Sequence, residues 1–205
     1  METGLVSLST KSFFKEGIIE YLLVAHPDAT VSNKINQEKQ NFYDQYGEKL
    51  ATNSKPHISI ADFQATEPME ETIIRWIGRI CSSKQCFKVA LNNYSGFPPG
   101  MVYLRVQNPK PFQQLAHELR VIDNYVRSNA CPPANLIKTP YLSISPTLPE
   151  AIRRKVLMHY SQQMFHETFL VEQLVLLRRS DQYDNYKTVN VFRLQPQSQE
   201  DNLFN

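Results

Sequence analysis

Glycine is scarce in this chain, with six residues in 205. Loops that cradle phosphates cluster glycines between a strand and a helix, so a P-loop or a Rossmann-type dinucleotide site is effectively excluded. Cysteine is scarcer. Cys81, Cys86 and Cys131 cannot all pair and none stands in a CxxC spacing, so the sequence supports neither a disulfide framework nor a zinc site. Net charge is low as well: a formal +2 argues against bulk nucleic-acid binding and leaves any polyanion recognition to a local site. No apolar run approaches the roughly 18 residues needed to span a bilayer. Met1-Glu2-Thr3-Gly4 lacks the basic start and apolar centre of a secretory signal. With cysteines of the reduced kind, the expectation is a cytoplasmic protein that engages no membrane.

What is present is ordinary globular composition, 41% hydrophobic and 20% charged, in a chain long enough to bury a sizeable core. The pattern predicts a central strand at Ile18–Ala25. A helix follows from about Asp28 to Tyr46, with Val31, Ile35, Phe42 and Tyr46 as its apolar stripe and Gly47 as its stop. A strand over His57–Phe63 precedes a helix over Glu67–Ile80, which has acidic residues in its first turn. Phe87–Leu91 and Met101–Val106 read as a hairpin with a long turn-rich connection at 92–100. Helices are expected over Pro111–Val126 and Pro149–Gln163, a loop over Ser128–Lys138, and strands over Phe165–Leu177 and Thr188–Leu194.

The stretch that organises the chain is Lys55-Pro56-His57-Ile58-Ser59-Ile60-Ala61-Asp62-Phe63. Period-two alternation puts the imidazole of His57 and the hydroxyl of Ser59 on one face, with the isoleucines on the other. An imidazole beside a hydroxyl on a rigid strand suits holding and protonating an oxyanion. Taken alone, a strand with a merely satisfied polar face is the plainer reading, since isolated histidines are common. The pattern then returns at Thr139-Pro140-Tyr141-Leu142-Ser143-Ile144-Ser145, with Tyr141 in the place of the histidine. A repeat in each half predicts a divergent duplication: an α+β fold of two pseudo-symmetric antiparallel sheets with flanking helices around a central cleft. The expected domain is a single two-lobed unit over 15–195, its motif strands at 57–60 and 141–144, with flexible tails at 1–14 and 196–205.

KPHISI, TPYLSI, YSGFPPGMVYLRV and the closing LVEQLVLLRRSDQYDNYKTVNVFRL resemble, in order and over roughly Ile18 to Leu194, the 2H phosphoesterase superfamily. Within it the bacterial 2′-5′ RNA ligase-like and cyclic phosphodiesterase proteins are the nearest group. The resemblance implies two HxT/Sx motifs on facing strands, no cofactor and no metal, and a monomer whose partner is an RNA end or a cyclic nucleotide. It also implies a site: His57 as acid/base, Ser59 and Ser143 as phosphate-binding hydroxyls, and Tyr141 at the second catalytic position. A phenol, with a usual pKa near 10, is a usable acid but a poor base at neutrality. Three readings therefore stand: an enzyme with Tyr141 as acid, a weakened enzyme, or a nucleotide- or RNA-binding module without turnover.

Further candidates are open to two readings each. Tyr94 and Phe97, expected at the hairpin tip, either stack on a nucleobase or serve structure, Phe97 plugging the cleft wall and Tyr94 covering the sheet edge. Arg105, sharing a strand face with Tyr103, either clamps phosphate or is a solvated charge. Lys55 and Lys138 precede the two motifs and either draw an anion in or are ordinary strand-end lysines. Arg178 reads as a turn charge or a cleft residue. His26 reads as turn chemistry, and His117, His159 and His166 as solvated or core-edge residues.

Overall fold

The structure, a computed structural model, describes residues 17–47, 55–97, 100–181 and 183–197, except for the side chain of Phe97. The expected leader at 1–14 lies outside them. The elements run β1 (Ile18–Ala25), α1 (Ala29–Tyr46), β2 (Ile58–Thr66), a 3-10 turn (Glu67–Met69), α2 (Glu70–Ser82), β3 (Phe87–Phe97) and β4 (Met101–Val106). They continue with α3 (Lys110–Glu118), α4 (Arg120–Ser128), β5 (Asn135–Leu136), β6 (Tyr141–Ser143), α5 (Glu150–Tyr160), β7 (His166–Val171), β8 (Gln173–Arg179) and β9 (Lys187–Arg193).

Helix α1 begins and ends as its sequence dictates. The Asp28 carboxylate accepts a hydrogen bond from the Val31 amide at 2.9 Å, and Gly47 closes the helix in the left-handed region at φ 65°. Val31, Ile35 and Phe42 are buried.

Two antiparallel sheets form, ordered β5-β2-β1-β8-β9 and β6-β4-β3-β7. Each draws strands from both halves of the chain. The apolar run at 165–177, read as one strand, is instead split between the sheets. Phe169 and Val171 are buried in one, Leu174 and Leu176 in the other, and the two-residue phase slips at exposed Glu172 and Gln173. Helices flank both sheets: α2, α3 and α4 pack against the first, α1 and α5 against the second. The three cysteines are free and buried, and burial pushes the Cys81 thiol up to about 12.

Three further boundaries correct the sequence reading. The helix at 111–126 is two helices broken at Leu119, although Phe112, Leu115, Leu119, Ile122 and Val126 stay buried throughout. The turn-rich connection at 92–100 is mostly strand: β3 runs on to Phe97 through a bulge, where Asn93 takes φ 56°. Asparagine visits this region more readily than most residues, and Asn93 exchanges hydrogen bonds with the backbone of Phe165. The tail expected to fray from Pro196 is held through Gln197, since Gln195 bridges the backbone of Lys84 and Cys86 and the Gln197 amide reaches the Cys86 carbonyl. Residues 198–205 lie outside the described part.

Gly100 closes the β3–β4 turn at φ 91°, and a Cβ there would overlap the Arg153 side chain at Nε and Cδ. Gly100→Ala is therefore expected to cost about 1–3 kcal/mol from backbone strain, more if Arg153 cannot move away. Urea titration checks this: the midpoint should fall at unchanged slope.

Candidate functional site

The motif strands β2 and β6 belong to different sheets, yet their side chains line one cavity of about 500 Å³. His57, Ser59, Tyr141 and Ser143 all stand on its wall. The shape of β2 comes from a bulge: Leu23 of β1 pairs with Ala61, whereas Val24 pairs with Ser59. Ile60 is the extra residue, so the alternation changes phase and Asp62 comes round to the face of Ser59. Asp62 joins the cavity wall. Burial, then the charge of Glu20, holds its carboxyl above the usual carboxylate range, partly offset by Arg179.

His57 is half-buried, with Nδ1 2.9 Å from the Lys55 carbonyl. A carbonyl only accepts, so Nδ1 carries the hydrogen and Nε2 keeps its lone pair in the neutral ring. Burial pulls the imidazole below its usual pKa; the carbonyl bond opposes this, and the charges of His26 and Lys39 add to it. The site thus favours a neutral base. His26 stands edge-on to His57, ring centres 6.1 Å apart, its own Nδ1 2.9 Å from the Pro56 carbonyl. The sequence reads His26 as a turn residue, whereas its bond runs to the segment that leads into β2 and seats it against the motif ring.

On the facing wall, Tyr141 is half-buried and packs edge-on to Tyr103 at 5.3 Å. The Ser143 hydroxyl donates to the Ser145 carbonyl at 2.8 Å. Buried Ser145 accepts from the Val102 amide and donates to the Pro146 carbonyl, fixing the end of β6 against β4. The Ser59 hydroxyl has no protein partner among the described residues.

Other sequence candidates fall elsewhere. Tyr94 is core: its ring meets Tyr160 and Phe165 edge-on, and its hydroxyl donates to Glu38. No nucleobase can stack there without opening the core. Phe97 ends β3 and its side chain lies outside the described residues. Arg105 pairs with Tyr141 across β4–β6 but is exposed, its guanidinium bonded to the Asn92 carbonyl, and it does not line the cavity. Lys138 does line it; Lys55 is exposed beyond its edge. Arg178 turns away to pair with Glu70 at 2.7 Å, an acid that also accepts from Tyr21. His117 and His166 are exposed, and His159 bonds Tyr46 and Gln163 away from the cavity.

Lys39, like Asp62, is a wall residue that sequence reasoning passed over. It reaches the cavity from α1, and its signal was the gap that Glu38-Lys39 leaves between Ile35 and Phe42 in the apolar stripe. Among the described residues, no group of three His, Cys, Asp or Glu side chains gathers as a metal site, and no helix is long and apolar enough to cross a membrane.

Among solved structures, TT0787 of Thermus thermophilus superposes with a TM-score of 0.66 at 14% identity, covering 87% of this chain and 100% of the other. E. coli LigT, in complex with 3′-AMP, gives 0.64 at 16% identity, covering 86% and 98%. LigT is also known bound to NADP+, at 0.59 and 16% identity over the same shares. No curated protein matches the sequence. These likenesses show the fold: two antiparallel sheets with flanking helices, of the LigT-like kind. The family model of the 2′-5′ RNA ligase superfamily matches residues 27–182, and the chain belongs to that superfamily, the 2H phosphoesterases.

Proposed function

We propose that the cleft binds an RNA-end or cyclic-nucleotide phosphodiester and opens it without a metal or cofactor. The observation that carries this is the convergence of His57, Ser59, Tyr141 and Ser143, from two sheets, on one cavity. In a 2′,3′-cyclic phosphate, water attacks phosphorus while His57 Nε2 takes its proton. The bond from phosphorus to one ribose oxygen breaks, and that oxygen receives the Tyr141 phenolic proton. Proton exchange with solvent restores both groups. Ser59 and Ser143 steady the non-bridging oxygens, where charge grows in the transition state. Ser143 does so by turning its hydrogen from the Ser145 carbonyl to the phosphate. The reading is tested by incubating the protein with a 2′,3′-cyclic nucleotide in EDTA and following ring opening. No opening by wild-type protein removes the enzymatic reading.

A second reading, a module that binds without turnover, is favoured by the phenol at position 141. LigT's complex with 3′-AMP supplies the probe. Ser59→Ala combined with Ser143→Ala is expected to weaken 3′-AMP binding roughly 10- to 100-fold, the worth of one or two hydrogen bonds to a charged group. Calorimetry that finds unchanged affinity takes the groove out of consideration.

A further inference from the structure

Helix α1 presents Val31, Ile35 and Phe42 to the core. Lys39 lies four residues after Ile35 and three before Phe42, so it projects from the same inward face. An apolar side chain would be the ordinary occupant. Here a half-buried lysine reaches into the cavity between the two motif strands.

Its surroundings do not neutralise it. Neighbouring Glu38 is taken by the Tyr94 hydroxyl. No ion pair or hydrogen bond joins Lys39 to any acid among the described residues, and burial holds its ammonium below the usual lysine range. A half-buried ammonium without a counter-ion is costly unless an anion completes it. Asp62 shares the cavity but forms no ion pair with Lys39, and the cation that acts on its carboxyl is Arg179. His57 is held neutral, and the facing wall carries a phenol where the family motif has a second imidazole. Lys138 is an exposed cation at the rim. Among the described residues, the cavity therefore holds one half-buried lysine.

We propose that Lys39 is the anion-binding cation of this cleft, its ammonium pairing with the non-bridging oxygens of the bound phosphate. It supplies the positive charge that a second imidazolium would otherwise bring. This rests on the reading of the cleft as a phosphate-binding site, which the experiment tests separately.

Calorimetry with 3′-AMP and with adenosine, on wild type, Lys39→Met and Lys39→Arg, decides it. Lys39→Met is expected to weaken 3′-AMP binding about 10- to 100-fold and to leave adenosine binding unchanged. Lys39→Arg, which keeps the charge, should retain most of the affinity. Methionine fills the same space without a charge, so the Tm of free Lys39→Met should be equal to or above that of wild type. Millimolar inorganic phosphate should raise the Tm of wild type but not of Lys39→Met. If wild type binds 3′-AMP and Lys39→Met binds it equally well, the assignment of Lys39 falls while the phosphate cleft stands. Equal losses for 3′-AMP and adenosine mean a structural role and also overturn it. If wild type binds 3′-AMP no better than adenosine, both the cleft reading and this inference fail.

Discussion

His57→Asn is expected to slow opening of a 2′,3′-cyclic phosphate by about 10²–10⁴-fold, the usual contribution of one positioned acid/base. Asparagine is the right replacement because its amide N–H can still donate to the Lys55 carbonyl that seats the ring. Affinity for 3′-AMP should change little, since in the neutral tautomer Nε2 acts on the attacking water rather than on the phosphate. The loss belongs in kcat, and single-turnover measurement separates it from binding. A pH profile adds an independent check. Burial, with the charges of His26 and Lys39, lowers the imidazole pKa, so the base form survives below the usual value of about 6.5. The acid limb of kcat/KM should accordingly break below about 6.5 in wild type. The same shift sets the sign for stability: the folded state resists protonation, so this contribution is complete above about pH 6.5 and is lost as the pH falls through the lowered folded-state value. His57→Asn removes that part of the slope. Turnover by His57→Asn equal to wild type would end the assignment of His57 as base.

The motif strands were legible because local alternation carries them. Ile58 and Ile60 are buried beside half-buried His57 and Ser59, as a period of two requires. The ends of α1 were legible for the same reason, since Asp28 and Gly47 act within a single turn. What pairing or distant contact decides was not. The bulge at Ile60, which brings Asp62 into the cavity, exists only in the register of β2 against β1. The passage of the chain between sheets at Glu172 depends on which edge each strand finds. Leu119 interrupts a helix without interrupting its apolar stripe, so periodicity passes straight through the break. Tyr94 looked like a tip residue because Asn92-Asn93 reads as a turn, whereas Asn93 absorbs a bulge and the strand continues into the core. Lys39 left only a faint trace, the gap in the α1 stripe, because a lysine on a helix is ordinarily read as solvated and only the opposite wall of the cavity reveals what it faces.

Tyr141→His is expected to raise turnover, with His57 intact, by at least about tenfold at roughly pH 6–7. The resemblance gives this position to a histidine. An imidazole with a pKa near the working pH accepts and returns a proton within each cycle, whereas a phenol holds its proton too tightly to be a well-matched acid. The cavity has room for the exchange, since imidazole is smaller than phenol and Tyr141 is only half-buried against Tyr103. The added cation should also tighten 3′-AMP binding. Its repulsion from Lys39 should lower the apparent pKa of the new imidazole, placing the alkaline limb of the rate profile below that of an isolated histidine pair. Tyr141→Phe supplies the contrast, because it keeps the ring and removes the only proton the phenol can give. A chain that uses Tyr141 as its acid loses turnover in Tyr141→Phe and gains it in Tyr141→His. A loss in both variants would mean that the phenol itself is matched to the substrate. No turnover in wild type or Tyr141→Phe, with turnover appearing in Tyr141→His, would identify a binding module one substitution away from catalysis.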